Sequence, residues 1–284
     1  MLRRTLIVAT LALAASGAAS AQTYPTGPIK FVVPFAAGSA TDNGARRIAD
    51  ALTKAWNQSI VVENKVGANG ILAAEAVARS KPDGYTVFIT SNSAVGANVA
   101  LFKKLPYDPL KDLDPITSIG FSPTILLVHP SVPAKTTQEL IALAKAQPGK
   151  INFGSGSAST RMSGEMLKSK AGIDITHIPY KSTPLALNDL IGGHIQMMFA
   201  DPVTSKPQIE AGKVRALGVS TNGRYKPLPD IPTLIEAGLP EFELEAWTAV
   251  FVPAGTPQPI KDKLYAATTA IITSPEFVAT TAAQ

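Results

Sequence analysis

The stretch FVVPFAAGSATDNGARRIADAL, which spans Phe31–Leu52, begins as an apolar run and ends as an amphipathic segment. The residues Ile29–Val33 predict a buried strand, and the return of apolar residues at helical spacing predicts a helix over Thr41–Trp56. The loop between the two elements consists of small residues, among which Ser39 and Asp42 are candidate helix caps. A strand, a small-residue loop and a helix N-terminus in this order can form a site for an anion.

The order of strand, small-residue loop and helix occurs a second time in the chain. The stretch INFGSGSASTRMSGEMLKSKAG, Ile151–Gly172, repeats it, and strands alternate with helices around both stretches. This alternation predicts an α/β fold with mostly parallel sheets flanked by helices. Because ligands bind beyond the carboxyl ends of strands in such sheets, the two blocks predict two lobes whose small-residue loops face each other across a cleft.

The first 21 residues have the composition of an export signal. They read MLRRTLIVATLALAASGAASA, with two arginines, an apolar stretch and a small-residue end at Ala19–Ala21. This pattern predicts a secretory signal over residues 1–21 that is cleaved before Gln22. The apolar stretch is short for a membrane span, so we expect an exported protein rather than an anchored one.

Composition and charge restrict the classes of function. The chain has no cysteine, which excludes thiol chemistry and a disulfide scaffold. Its 26 basic and 21 acidic residues give a formal net charge of +5, which falls to +3 (24 − 21) without Arg3 and Arg4 of the signal. Charges this balanced and this evenly interspersed predict no binding of nucleic acid.

The second small-residue loop, GSGSAST at Gly154–Thr160, offers donors for an anion. Its hydroxyl groups belong to Ser155, Ser157, Ser159 and Thr160. The helix that follows adds backbone N–H groups without an intrahelical acceptor, and a carboxylate there would gain charge-assisted hydrogen bonds. Serine and glycine also commonly precede helices without any ligand, so a simple capped turn explains the same pattern.

Other polar residues lie where a ligand could contact them. Gly38 of the first loop allows close backbone approach, and Phe35 could supply an apolar wall. We expect Asp42 to cap or support its helix, because its carboxylate would repel an acidic ligand. Asp201 ends the strand HIQMMFA and could either meet an amino or hydroxyl group of a ligand or cap the next segment. Lys181 is expected to be solvated.

Motifs of enzymes are scarce. GSGSA is not the G-x-S-x-G of a nucleophile elbow, and the three histidines are scattered along the chain. No spacing of histidine and acidic residues predicts a metal site, and no glycine-rich stretch has the full pattern of a phosphate or dinucleotide loop. The sequence therefore predicts no metal, no cofactor and no chemical step.

Long blocks of the sequence resemble the substrate-binding proteins of tripartite tricarboxylate transporters, the Bug family. The blocks include FVVPFAAGSATDNGARRIADAL, IVVENKVGANGILAAEAVARSKPDGYT, PGKINFGSGSAST and THIPYKSTPLALNDLIGGHIQMMFAD. They follow one another from about Tyr24 to Phe277, which is nearly the whole chain after the signal. The resemblance implies a two-lobed periplasmic binding protein of type II that closes on its ligand like a Venus flytrap.

The resemblance also implies where the lobes and the ligand lie. The first lobe would comprise residues 22–121 and 221–284, and the second lobe residues 122–220. The loops Phe35–Asp42 and Ser155–Thr160 would hold one carboxylate of an organic acid, and residues after other strands would contact its distal part. The residues assigned to ligand binding are Phe35, Gly38, Ser39, Ala40, Thr41, Asp42, Ser91, Asn92, Ser155, Ser157, Ser159, Thr160 and Asp201.

The sequence departs from the family pattern at three points. The first loop, Ala36–Ser39, has less glycine than in many members, and Arg161 stands where members often have a histidine. We expect Arg161 to face solvent rather than a second carboxylate. The chain also stops at SPEFVATTAAQ, earlier than members usually do, so a last helix of the first lobe is expected to be absent.

The expected function is capture of a small carboxylate by a monomeric periplasmic receptor, which would deliver it to membrane transporter subunits or to a sensor kinase. The ligands implied are di- and tricarboxylates, acidic amino acids and aromatic carboxylates. One alternative is a secreted serine hydrolase that uses a serine of Gly154–Thr160 with His177 as base. Another is a binder of phosphate or nucleotides.

Overall fold

The computed structural model describes residues 24–283, and of residues 281–283 it describes the backbone alone. The predicted signal over residues 1–21 lies outside the described residues. Within residues 24–283, the strands form two five-stranded sheets, and no helix has the length and apolar character needed to cross a bilayer.

The elements of the described residues alternate along the chain. The strands are β1 (Ile29–Val33), β2 (Ile60–Asn64), β3 (Thr86–Ser91), β4 (Leu113–Pro123), β5 (Ile125–Val128), β6 (Asn152–Ser155), β7 (Thr176–Pro179), β8 (Met197–Ala200), β9 (Arg215–Val219) and β10 (Glu245–Pro253). The α-helices are α1 (Ala40–Trp56), α2 (Ile71–Ala78), α3 (Asn98–Leu101), α4 (Thr137–Ala146), α5 (Ala158–Ala171), α6 (Thr183–Ile191), α7 (Pro202–Glu210), α8 (Gln258–Ile272) and α9 (Pro275–Ala283). A 3-10 turn, Ala68–Gly70, precedes α2, and a π-helical turn, Ser93–Ala97, precedes α3.

The two sheets have the same topology. Their strand orders are β2-β1-β3-β10-β4 and β7-β6-β8-β5-β9. In each sheet one strand (β1 or β6) pairs in parallel with two neighbours, and the strand that enters from the other lobe (β10 or β5) pairs antiparallel with two. The prediction of two α/β lobes is confirmed, but each sheet is mixed rather than mostly parallel. The antiparallel pairs arise because β10 and β5 carry the chain across from the opposite lobe.

Both faces of each sheet are buried. In β1, Ile29, Phe31 and Val33 pack into an apolar cluster with α1, whereas Val32 packs into a cluster on the opposite face. Residues 125–128 of β5 alternate in the same way between the two clusters of the second lobe. Since successive side chains of a strand point to opposite faces, burial on both sides requires the largely apolar runs IKFVV and ILLV.

The segment between β9 and β10 belongs to the second lobe. Leu234, Leu239 and Phe242 are buried in an apolar cluster of that lobe, and Thr233 forms a parallel bridge to β9. The chain therefore returns to the first sheet at the start of β10 and not at residue 221, where the sequence placed the boundary. The segment has no repeating apolar spacing, so its packing partner is not encoded in a local pattern.

Two neighbouring segments carry the chain between the lobes, and the fully buried Ser220 joins them. Its Oγ accepts from the N–H of Thr124 (2.9 Å), and its own N–H donates to the carbonyl of Thr124 (3.0 Å). On the other side, the N–H of Leu244 donates to the carbonyl of Ser220 (3.0 Å), and the Ser220 hydroxyl donates to the carbonyl of Leu244. These four hydrogen bonds hold the crossover segments side by side, where any hinge between the lobes must lie.

The contact between α5 and β6 generates a prediction about stability. A Cβ added at Gly164 of α5 would lie 2.2 Å from the ring of Phe153, so the two elements pack at a distance that only glycine permits. We expect Gly164→Ala to lower the free energy of unfolding by about 1–3 kcal/mol, because a packed core has no room for the added methyl group. Urea unfolding followed by circular dichroism measures the change.

Gly44 of α1 is the matched control, because a Cβ added there would meet no neighbouring atom within 4 Å. Gly44→Ala should raise the free energy of unfolding by about 0.5–1 kcal/mol through the better helix propensity of alanine. A Gly164→Ala variant as stable as the parent protein would contradict the close packing of α5 on β6.

Candidate functional site

Two adjoining cavities lie between the lobes. The inner cavity has a volume of about 60 Å³ and the outer cavity about 290 Å³. Ser157 lines both, so they meet at the N-terminus of α5. The inner cavity is lined by Phe35, Ser39, Ala40, Thr41, Ser91, Ser122, Pro123, Thr124, Ser157, Ser159, Thr160, Thr183, Asp201, Ala246 and Thr248. The outer cavity is lined by Ala68, Asn69, Leu101, Phe102, Ser155, Gly156, Ser157, Ala158, Arg161, His177, Pro179, Tyr180 and Lys181.

The first loop is fixed by hydrogen bonds to its own helix. Ser39 caps α1 by accepting at Oγ from the N–H of Asp42 (3.3 Å). Asp42 Oδ2 accepts in turn from the N–H of Gly38 (2.9 Å) and from Nε of Arg46 (3.0 Å). Gly38 has a φ of 81°, which glycine adopts without strain. These hydrogen bonds hold the loop against the first turn of α1.

Asn64 at the end of β2 ties the same carboxylate to the preceding loop. Its Nδ2 donates to Oδ1 of Asp42 (2.7 Å) and to the carbonyl of Phe35 (2.9 Å). Burial acts to raise the pKa of Asp42, but hydrogen bonds from Arg46, Asn64 and Gly38 outweigh it and hold the pKa below its usual value. Asp42 is thus an ionised support of the loop and does not line the inner cavity.

The second loop forms a capping box at the start of α5. Ser157 accepts at Oγ from the N–H of Thr160 (3.3 Å), and Thr160 Oγ1 accepts from the N–H groups of Ser157 and Gly156 (3.1 Å each). Gly156 lies against the start of α6, where an added Cβ would be 2.0 Å from the backbone nitrogen of Thr183. The two hydroxyl groups are therefore engaged within the turn itself, together with the N–H groups of Gly156, Ser157 and Thr160.

Four helices from the two lobes begin at the inner cavity. Its wall includes the N-cap residues of three of them and the first residue of the fourth, which are Ser39 (α1), Ser157 (α5), Asp201 (α7) and Thr183 (α6). The partial positive charges of these helix N-termini therefore converge on one small volume. Because no lysine or arginine is among the described residues that line it, the helix N-termini are the main source of positive potential there.

Backbone N–H groups from both lobes lack a protein acceptor at this point. The first N–H groups of an α-helix have no intrahelical partner. Those of Ala40 and Thr41 in α1 and of Ser159 in α5 receive no other acceptor from residues 24–283. A carboxylate placed between the two helices would satisfy these donors with charge-assisted hydrogen bonds.

The lobes contact each other directly beside the inner cavity. Ser93 in the π-helical turn accepts at Oγ from the N–H of Ala158 (3.1 Å), and Asn92 accepts at Oδ1 from the hydroxyl of Ser159 (2.9 Å). Ser91 supports this contact by donating to Ser93 Oγ (3.2 Å). These bonds bring the lobes together and account for the small volume of the inner cavity.

Asp201 supplies the carboxylate of the inner cavity. It caps α7 by accepting at Oδ1 from the N–H of Thr204 (2.9 Å), and it also lines the cavity. Burial raises the pKa of Asp201 above its ordinary value, although the hydrogen bonds from Thr204 act in the opposite direction. Asp201 therefore caps α7, which is one of the two roles that the sequence left open. Its position on the cavity wall also suits the other role, contact with a hydrogen-bond donor of a ligand.

Ser155 lies on the outer cavity and pairs with His177 of β7. A hydrogen bond of 2.7 Å joins Ser155 Oγ to Nε2 of His177, which is the contact that a serine hydrolase needs. The nearest backbone N–H groups, those of Gly156 and Ser157, are already bonded to Thr160. The hydrolase alternative therefore has a serine–histidine pair, but the N–H groups of the two residues that follow the serine are not free to bind an oxyanion.

The structure brings together most of the residues that the sequence assigned to a ligand site. Those lining the inner cavity are Phe35, Ser39, Ala40, Thr41, Ser91, Ser157, Ser159, Thr160 and Asp201. Gly38 and Asp42 lie behind it as supports, Asn92 bridges the lobes and Ser155 lines the outer cavity. Arg161 and Lys181, which were expected in solvent, are exposed but also line the outer cavity.

Several wall residues had not been assigned from the sequence. They are Ser122, Pro123, Thr124, Thr183, Ala246 and Thr248. Thr183 begins a helix that follows a strand, the same signal that identified the two loops, and could have been found by it. The others belong to β4, β10 and the link to β5, and no motif distinguishes a strand residue that borders a cleft.

Comparisons with known proteins match nearly the whole chain. A family profile described as "Tripartite tricarboxylate transporter family receptor" matches residues 44–283. A relative from Bordetella pertussis, named as a UPF0065 protein, is 37% identical over 280 residues, which are 98% of this chain and 86% of the relative.

Solved structures of similar sequence have the same fold. R. palustris Rpa4515 with adipate gives a TM-score of 0.89 at 34% identity, over 91% of this chain and 87% of that one. The periplasmic binding protein BugD gives 0.87 at 34% identity, over 92% and 87%. MatC (Rpa3494) from Rhodopseudomonas palustris with bound malate gives 0.85 at 36% identity, over 89% and 87%. These matches confirm the resemblance and the two-lobed fold of a periplasmic binding protein.

The environment of His177 generates a prediction that NMR can test. Burial lowers its pKa below the ordinary value of about 6.5, and the nearby positive charge of Arg161 lowers it further, while Glu165 opposes them. A 1H–15N titration of the three histidines should therefore show His177 titrating below pH 6.5, and Arg161→Ala should raise its midpoint.

The same shift predicts the direction of a stability change. Because the folded state favours neutral His177, protonation costs stability as the pH falls from about 6.5 towards the folded pKa. His177→Gln should weaken this loss between pH 6.5 and 5. A His177 midpoint above 6.5 in the folded protein would contradict the buried environment.

Proposed function

The chain belongs to the tripartite tricarboxylate transporter receptor family, and we propose that it captures a small carboxylate between its two lobes. The observation that carries the proposal is the convergence of acceptor-free N–H groups from opposite lobes on the inner cavity, at Ala40 and Thr41 on one side and Ser159 on the other. Two similar structures contain the carboxylates adipate and malate, which supports this ligand class.

Capture requires that the ligand binds the closed arrangement better than the open one. A carboxylate between α1 and α5 contacts both lobes only when the lobes are together, so binding shifts the population towards the closed state. Each helix N-terminus contributes roughly 0.3–1 kcal/mol when exposed and up to about 2 kcal/mol when partly buried. The contacts of the ligand with both lobes would stabilise the closed state in addition to the hydrogen bonds that already join the lobes.

Asp201 would select among organic acids by the substituent that each acid carries beside its bound carboxylate. Its carboxylate repels a second anion in the inner cavity but accepts a hydrogen bond from a hydroxyl or ammonium group. An acid without such a donor would leave the Asp201 oxygen that is not used in capping α7 without a hydrogen bond, which lowers the affinity for that acid. Acids that carry a hydroxyl or amino group beside the carboxylate are therefore the preferred class for this cavity.

The cellular role follows from the family and from the predicted signal. We propose that residues 1–21 direct export to the periplasm, where the receptor acts as a monomer. It would deliver the acid to membrane transporter subunits, with delivery to a sensor kinase as the second route. The proposal contains no chemical step, since a receptor for transport releases its ligand unchanged.

Ala40→Pro tests the backbone donors directly. Ala40 is the first residue of α1, where proline is tolerated because its N–H has no helical acceptor. We expect the variant to keep its fold but to lose about tenfold or more in affinity, equivalent to about 1.4 kcal/mol, because one N–H donor is gone. The ligand is the acid from a panel including malate and adipate that raises the melting temperature most, and calorimetry gives its Kd.

Ala40→Val is the matched control, because valine adds similar bulk and keeps the N–H group. Its affinity should stay within about threefold of the parent value, well under the tenfold change that 1.4 kcal/mol represents. Equal losses in the two variants would attribute the effect to bulk and contradict binding through the backbone.

A further inference from the structure

Two buried hydroxyl groups join the crossover between the lobes to the start of α5. Thr124 lies between β4 and β5, Ser163 lies in α5, and both residues are buried. Thr124 Oγ1 and Ser163 Oγ are 2.8 Å apart, and Ser163 Oγ is 3.1 Å from the carbonyl oxygen of Ser159. Thr124 lines the inner cavity, whereas Ser163 does not. A hydroxyl that faces the ligand space is therefore bonded to one that lies behind it.

The hydrogens of the two hydroxyl groups have one arrangement that makes both bonds. A carbonyl oxygen only accepts, so the bond to Ser159 uses the single hydrogen of Ser163. Ser163 Oγ then offers a lone pair to Thr124, and Thr124 must be the donor of the 2.8 Å bond. The opposite direction loses the bond to Ser159 and leaves the Thr124 hydrogen without an acceptor from residues 24–283. Because an unmade hydrogen bond of a buried group is costly, the first arrangement is favoured.

Thr124 therefore presents lone pairs and no hydrogen to the inner cavity. Its neighbour at this edge of the sheet is Asp201, because Ile125 of β5 pairs with Ala200 of β8 and the next residues outward are Thr124 and Asp201. Both of these residues line the inner cavity. An ionised carboxylate likewise accepts hydrogen bonds and donates none. This edge of the second sheet thus offers two acceptors to a ligand, whereas the starts of α1 and α5 offer donors.

We propose that Ser163 fixes the hydrogen-bond direction of Thr124, and that Thr124 acts as an acceptor that selects acids with a hydroxyl or amino group beside the bound carboxylate. The proposal rests on capture of that carboxylate in the inner cavity. Ser163 is a positioning residue, because it acts through Thr124. A ligand hydroxyl that donates to Thr124 satisfies it, whereas an acid without this donor leaves the Thr124 lone pair unpaired in the cavity. Without Ser163 Oγ, the Thr124 hydroxyl can rotate and donate to a ligand oxygen, so the selection weakens.

The test measures discrimination between acids that differ by one hydroxyl group. Calorimetry at about pH 8, where carboxylic acids are ionised, gives the Kd of malate against succinate and of lactate against propanoate, with both enantiomers of each hydroxy acid. The parent protein should bind the better hydroxy acid about tenfold or more tightly than its analogue. Ser163→Ala should reduce this ratio by about threefold or more, the worth of one hydrogen bond. Thr124→Val should reduce the ratio at least as much, and Thr124→Ser, which retains the hydroxyl, should keep it.

Thr137→Val is the matched control for loss of a buried hydroxyl in the same lobe. Thr137 of α4 is buried, donates from Oγ1 to the carbonyl of Leu217 (2.9 Å) and lines neither cavity. In urea unfolding this variant should lose stability as Ser163→Ala does, yet it should keep the ratio of the parent protein.

An unchanged or increased ratio in Ser163→Ala would overturn the role of Ser163 and leave capture of a carboxylate standing. The same holds for a parent protein that binds adipate but none of these four acids, or that binds both members of each pair equally. A parent protein that binds no acid of the panel overturns both proposals.

Discussion

Backbone N–H groups at the start of a helix have no acceptor within it, and in this protein two such helix starts face each other from opposite lobes. The side chains around these helix starts do not supply acceptors for all of their N–H groups. Ser39, Ser157 and Thr160 satisfy the turn on either side, while Asp42 and Asn64 fix the first loop from behind. The N–H groups of Ala40, Thr41 and Ser159 remain for a ligand. In the proposed function a negative group satisfies them, and it can reach both helices at once only when the lobes are together.

Hydrogen bonds within the protein already stabilise the arrangement in which the lobes are in contact. A ligand that contacts both lobes would stabilise this arrangement further. Ser93 and Asn92 bond the N-terminal turn of α5 across the cleft, and Ser220 holds the two crossover segments together at its base. The two cavities obtain positive potential by different means. Helix N-termini supply positive potential to the inner cavity, where a buried cation would be costly to desolvate, and side-chain cations supply it to the outer cavity, where solvent is near.

The sequence predicted those features that a local pattern encodes. The strand, the small-residue loop and the cap of α1 were all readable from Phe31–Leu52, and the predicted helix start differs from the observed one by a single residue. The loop residues that line the inner cavity were predicted from the same kind of local pattern. The pattern did not show that the hydroxyls of Ser157 and Thr160 are used within their own turn, because hydrogen-bond partners depend on the folded geometry. It also missed the wall formed by β4 and β10 and the lobe that holds residues 221–244, since both follow from packing between segments distant in the chain.

The most direct measurement is a crystal structure of the protein with the acid that stabilises it most. The central claim predicts one carboxylate in the inner cavity, with its oxygens about 2.7–3.1 Å from the backbone nitrogens of Ala40 or Thr41 on one side and Ser159 on the other. A carboxylate bound to one lobe alone, or held only by side-chain cations of the outer cavity, would contradict it.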